Sequence, residues 1–186
     1  AMIACRIAPG LNREFLSEEW DNLIPKKEWY GVVEEAQNMV CEDAEVQIQG
    51  YDIDDEVLKM ARANAALAGV EDKIHFQRRD IINFSSPKKY GFVVSNPPYV
   101  TEDEMQMLDR SVADFEPHEA LYGGEDGLDF YHAICDSWGE LLVPNGRLLF
   151  ECGWHQADDV AGIMQRHGYK AVSYTHLRAH ETRSNL

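Results

Sequence analysis

The chain has 186 residues, 45% of them apolar and 10% aromatic, which is enough for one hydrophobic core and too little for two comfortable domains. A formal charge of -16 excludes non-specific attraction to nucleic-acid phosphate by this segment itself, so an RNA substrate would need a basic partner domain that is absent here. No apolar stretch reaches membrane-spanning length, no signal peptide is visible, and Cys5, Cys41, Cys135 and Cys152 form no CxxC pair, so a cytoplasmic protein with reduced thiols packed in its core is expected.

In chain order, the sequence opens on Ala1 with a helix-like segment and reads as truncated at its start. Val46 to Tyr51 is a strand ending at Asp52, and Asp54 then caps a helix to about Ala68, with Asp55 and Glu56 in the first turn and Gly69 as the stop. Ile74 to Gln77 is a second strand ending near Asp80, and Tyr90 to Ser95 a third. A long loop over 101 to 126 leads into a helix bearing Leu128, Ile134, Trp138, Leu141 and Leu142. Pro144-Asn145-Gly146 turns into the strand Arg147 to Cys152, followed by a helix from about Gln156 to His167. Short apolar runs alternating with helical periodicity describe an α/β domain with a parallel sheet and flanking helices.

Asn96-Pro97-Pro98-Tyr99 comes directly after the apolar run Phe92-Val93-Val94-Ser95. An amino or amide nitrogen is a poor nucleophile because its lone pair is delocalised. The Asn96 side-chain oxygen and the Pro97 carbonyl can accept its two N–H bonds and aim the lone pair at a methyl donor. Pro97 and Pro98 stiffen the loop, and Tyr99 offers a flat face for stacking a planar group. In open α/β sheets ligands bind beyond the carboxyl ends of strands, where Asp52, Asp80 and Asn96 all fall. Asp52 is the candidate for both hydroxyls of a ribose, and Asp80 for an adenine amino group, with helix capping and an ordinary turn as their respective alternatives.

These residues resemble class I S-adenosylmethionine-dependent methyltransferases that act on amino groups. Residues 1 to about 99, especially AMIACRIAPGLNREFLSEEW, IPKKEW, IQGYDIDDEVLKMARANAALAGV and IHFQRRDIINFSSPKKYGFVVSNPPY, look like the ribosomal-RNA guanine-N2 methyltransferases that carry a separate THUMP domain. From Asn96 to about Lys170, NPPYVTEDEM, FEPHEALYGGEDGLDFYHAI and PNGRLLFECGWHQADDV look like the glutamine methyltransferases of peptide-chain release factors. A chimera joined near 96–100 is therefore expected. The resemblance implies an incomplete Rossmann-like sheet over residues 1–172, S-adenosyl-L-methionine as cofactor, and Asn96, Pro97 and Tyr99 as catalytic positions. It adds Pro98, Glu116 and Pro117 to the acceptor side. By the longer match the implied acceptor is guanine N2 of ribosomal RNA, reached through the absent RNA-binding domain, with the glutamine of a peptide-chain release factor as the alternative and a non-catalytic or misassembled chimera as a third reading. Both families place a first strand and a glycine-rich turn ahead of the point where this sequence opens, so the donor site is expected to be incomplete and the strands beside the missing one to lack a backbone partner.

Residues 173–186, with SYTHLRAHET, are similar to translated sequencing adapter and are expected to be an artefactual tail. The remaining histidines, His75, His118, His132, His155 and His167, show no metal-ligand spacing, and no metal is expected.

Overall fold

The computed structural model describes residues 1–170, so the tail expected at 173–186 lies outside the described residues. The chain divides into two compact units, Ala1–Ile81 and a second beginning at Ile82.

In the first unit, α1 (Lys26–Asn38), β1 (Ile48–Asp52), α2 (Asp55–Leu67) and β2 (Ile74–Arg78) follow in order. β1 and β2 pair in parallel from Ile48 opposite Ile74 to Asp52 opposite Arg78. α2 begins where expected because the Asp54 carboxylate accepts from the Glu56 amide at 2.8 Å, and it stops at Gly69, whose φ of +67° an L side chain rarely adopts. Leu58 and Ala65 on its inner face are buried, and Cys5, Ala65 and Val70 form a small core against Met2, Ile7, Ile74 and Phe76. Gly50 lies in mid-strand because a β-carbon there would sit 2.6 Å from the Phe76 ring.

Two expectations fail in this unit. The opening segment is a run of turns, not a helix: Arg6 takes a φ of 54°, and Pro9 disfavours the helical conformation for the residue before it. α1, conversely, is not anticipated by the sequence reading. Its half-buried positions Trp29, Val33 and Ala36 keep helical spacing, but no residue in it is fully buried, so the apolar signal is thin.

The second unit contains β3 (Tyr90–Ser95), three single-turn helices α3 (Glu102–Met105), α4 (Arg110–Ala113) and α5 (His118–Leu121), then α6 (Asp129–Trp138), β4 (Leu142–Phe150) and α7 (Ala157–Arg166). The three short helices occupy what reads as an unbroken loop. Thr101 and Glu104 cap each other's ends at α3, and Asp109 caps α4, so local side-chain bonds hold turns too short for any apolar period to register. α6 ends at Trp138, not beyond Leu142, since a 3-10 turn over Gly139–Leu141 passes directly into β4. β4 in turn begins five residues ahead of the expected Arg147 and ends at Phe150. Pro144-Asn145-Gly146 sits inside it as a bulge, with Asn145 at φ 65°, between the pairs Tyr90–Leu142 and Phe92–Arg147.

The core of this unit is Tyr131, Cys135, Val160 and Ile163, with Ile134, Trp138 and Leu141 also buried. Burial pushes the Cys135 thiol up to about 11, which suits a packing role. Cys5 is likewise buried, but Cys41 is exposed, against the expectation that all four thiols are core residues. Among the described residues the strands form two parallel pairs, β1–β2 in the first unit and β3–β4 in the second.

Ile163 is 1% exposed, so Ile163→Ala is expected to cost about 2–5 kcal/mol of unfolding free energy, read from the denaturant midpoint. His167 supplies a pH dependence. Its pKa is raised first by the Ile163 carbonyl, 2.9 Å from Nδ1, and then by Asp136, 2.6 Å from Nε2, against opposing burial and Arg166. Because the folded value lies above the unfolded one, this stabilisation is complete below the ordinary histidine pKa and is lost as pH rises through the raised value. Thermal unfolding of Asp136→Asn should show a shallower decline with pH than the wild type over that window.

Candidate functional site

Asp52 is the last residue of β1, and its main chain is fixed by the Arg79 amide, which donates to its carbonyl at 2.8 Å. Its Oδ1 accepts from the Asp54 amide at 2.9 Å. The capping of α2 is therefore left to Asp54, as expected, while Asp52 closes the tight turn before it and stays half-exposed at the carboxyl end of the sheet. Asp80 lies two residues beyond β2 and is also half-exposed. Parallel pairing with Asp52 opposite Arg78 puts both acids at the same end of this two-stranded sheet. They belong to the first unit; the Asn96 segment belongs to the second.

Asn96 comes directly after β3, whose last residue Ser95 pairs with Phe150 and accepts from the Glu151 amide at 3.0 Å. The Asn96 side chain is exposed and, among the described residues, has no hydrogen-bond partner, so its amide is open to donors from a ligand. Pro97 is buried, and Pro98 and Tyr99 are half-buried. The segment thus has a fixed foot and a free first side chain. Tyr99 packs against the Tyr131, Cys135, Val160 and Ile163 cluster, so the residue expected to stack on an acceptor is also partly a core residue. Burial, and then Glu151, raise the Tyr99 pKa, so the hydroxyl stays neutral at ordinary pH.

The exit of the segment is bonded on both sides. Val100 donates to the Leu121 carbonyl at 2.9 Å, and Gly123 donates to the Val100 carbonyl at 2.9 Å. A β-carbon on Gly123 would lie 2.7 Å from the Pro98 carbonyl oxygen and 2.7 Å from the Tyr99 Cα. Gly127, at φ +74°, faces the Tyr99 carbonyl with no room for a side chain. Beneath this contact the Tyr131 hydroxyl donates to the Glu151 carbonyl at 2.9 Å. Glu116 is exposed three residues beyond α4, where its amide donates to the Val112 carbonyl at 2.9 Å, and Pro117 is the N-cap of α5. Gln156 is the residue that the sequence reading missed: its side-chain amide reaches the Tyr99 carbonyl at 3.0 Å. The one signal for it was a glutamine at a helix N-cap, where Ser, Thr, Asp or Asn is usual.

A fixed strand end with an exposed amide can orient a planar nitrogen, and a strand-end carboxylate can accept from hydroxyls. Residues 1–107 match the family model described as RMKL-like, methyltransferase domain. The chain belongs to this methyltransferase family. A release factor glutamine methyltransferase of Clostridium acetobutylicum is 34% identical over 130 residues, covering 69% of this chain and 46% of that protein. This stretch is longer than residues 96–170, so the likeness to release-factor enzymes extends beyond the part of the chain where the sequence reading placed it. The crystal structure of a possible methylase from Clostridium difficile 630 superposes with a TM-score of 0.62 at 30% identity, covering 88% of this chain and 37% of that one. A methyltransferase structure complexed with SAH, SMU.472, gives 0.60 at 25% identity, covering 88% and 37%.

Together these relatives identify a partial Rossmann-like fold of the class I S-adenosylmethionine-dependent N-methyltransferases. The methyltransferase chain spans less than two thirds of the length of the relatives it matches, 46% in the first case.

The close approach at Gly127 can be isolated from backbone strain by comparison with Gly69, whose φ of +67° is similar but which has nothing within 4 Å of an added β-carbon. Gly69→Ala should cost only the left-handed penalty of about 1–2 kcal/mol. Gly127→Ala should cost clearly more, with both read from equilibrium denaturation.

Proposed function

We propose that the methyltransferase chain carries the acceptor-orienting part of an enzyme that methylates an amide nitrogen, the glutamine side chain of a peptide-chain release factor. The observation that carries this reading is the exposed Asn96 amide on a segment whose next residues are bonded in place. Asn96 Oδ1 and the Pro97 carbonyl accept the two N–H bonds of the acceptor and turn its lone pair outward. That geometry favours the pyramidal transition state over the planar ground state. Asp52 fits the ribose of the cofactor, as a half-exposed carboxylate at a strand end, and Asp80 fits its adenine amino group. Bound there, S-adenosylmethionine supplies an activated sulfonium methyl group, so no covalent nucleophile is required of the protein. Tyr99 bears on the acceptor with the part of its ring that the core leaves uncovered, and Pro98, Glu116 and Pro117 border the same side.

The choice of a protein acceptor is supported by the stretch from Tyr99 to Gln156, which lies just beyond the orienting residues and resembles the release-factor enzymes. The charge of -16 also disfavours RNA phosphate. A second reading, methylation of guanine N2 in ribosomal RNA through a separate RNA-binding domain, rests on the resemblance of residues 1 to about 99 to the THUMP-associated enzymes. Labelled S-adenosylmethionine offered with a purified release factor or with ribosomal RNA separates the two: label on the protein is expected, and label on the RNA alone would overturn the first reading.

With the accepting substrate in hand, Asn96→Ala should lower turnover by about a hundredfold or more, as for other preorganised hydrogen-bonding groups, with little change in cofactor affinity. Asp52→Ala should do the reverse, raising the cofactor concentration required. Equal turnover in the Asn96 variant would remove that residue from the mechanism.

A further inference from the structure

Gln156 joins three stretches of backbone that are far apart in sequence. Its Nε2 donates to the Tyr99 carbonyl at 3.0 Å and approaches the carbonyls of Asp126 and Gly127 at 3.4 Å each. Its Oε1 accepts from the Gly153 amide at 3.0 Å. The orientation of this amide is set by its surroundings, since carbonyls face the nitrogen and an N–H faces the oxygen. The glutamine is itself anchored, because its carbonyl accepts from Val160, a core residue of α7, at 2.9 Å.

Space has been cleared for it. A β-carbon on Gly153 would lie 2.7 Å from Oε1, and one on Gly127 would run into Nε2. Both positions are glycine, and a side chain at either would displace the amide.

We infer that Gln156 is a positioning residue that holds the Asn96–Tyr99 segment, the Gly123–Gly127 loop and the Gly153 turn in one fixed arrangement, and that it thereby sets the direction of the nitrogen-accepting groups. The link is short and stiff. Between the Tyr99 carbonyl and the Pro97 carbonyl lies Pro98, whose ring fixes φ, and Pro97 fixes it again next to Asn96. Holding one end of such a segment leaves few torsions by which the other end can turn. The catalytic half of this inference rests on the amide-directed reading above; the structural half does not.

The test compares the whole chain with Gln156→Ala and Gln156→Glu. Glutamate keeps the length and the acceptor for the Gly153 amide, but it cannot donate, and its charge faces the carbonyls. Hydrogen exchange of backbone amides at 99–101 and 123–128 should accelerate about tenfold or more in both variants, with α2 and α6 unchanged, as expected for loss of a donor that ties these carbonyls together. Wild-type protection in the Glu variant, or acceleration spread evenly over the second unit, would overturn the inference, because filling space would then be the only role of the side chain.

The second measurement is methyl transfer to a release factor. Both variants should lose about tenfold or more in kcat while the S-adenosylmethionine Kd stays within about twofold, the pattern of a group that acts on transition-state geometry. Accelerated exchange with an unchanged kcat would overturn the positioning role. A wild-type chain that binds S-adenosylmethionine by calorimetry yet gives no transfer, beside an active relative as control, would count against the amide-directed reading, and exchange would still decide whether Gln156 fastens the loops.

Discussion

Residues 98–100 run so close to the loop at 123–127 that no β-carbon fits between them, and most of the second unit is arranged around that contact. At Gly123 a β-carbon would meet the Pro98 carbonyl and the Tyr99 Cα, and at Gly127 it would meet the Tyr99 carbonyl. Two backbones at such a distance bring carbonyl groups together out of water, and those groups require donors. Val100 and Gly123 supply some through their amides, and Gln156 supplies another from its side chain. The apolar cluster of Tyr131, Cys135, Val160 and Ile163 lies against the Tyr99 ring and holds the same segment from its other side.

This arrangement separates rigidity from exposure. Pro97 is buried and the Tyr99 carbonyl is bonded, yet Asn96, one residue beyond the strand, remains exposed, with no partner for its side-chain amide among the described residues. A group that must orient another molecule benefits from a scaffold that has already lost its freedom, because the entropy of alignment is then not lost at the moment of reaction. The same logic holds at β1. Asp52 has one carboxylate oxygen committed to the Asp54 amide and its carbonyl committed to Arg79, which fixes the carboxylate at the sheet end.

The likenesses to known methyltransferases agree with this division of labour. The family match over residues 1–107 takes in β1 to β3 and the Asn96 segment, and it ends in the region of the short helices. The stretch beyond Tyr99 resembles the release-factor glutamine methyltransferases, and there the glycines and Gln156 pack against the Tyr99 backbone. Fold class and donor chemistry therefore stem from the shared part.

The sequence by itself determined the strands around Asp52, Asp80 and Asn96 and the capping of α2 by Asp54, because strand ends, caps and helix stops are written in neighbouring residues. It also carried the Asn-Pro-Pro-Tyr segment, on which the proposed amide-directed chemistry rests. It was less informative where local signals were weak or overruled: α1 has no fully buried residue, the three short helices are below the length at which a period shows, and Pro144-Asn145-Gly146 looks like a turn but is a bulge within β4. Only the tertiary structure decided that Tyr99 is partly a core residue, that Gly127 and Gly153 are glycine to admit a side chain, and that Gln156 is the side chain admitted. Such facts depend on which backbone carbonyls a side-chain amide meets across 29 and 57 positions of sequence, a matter of packing that no local pattern records.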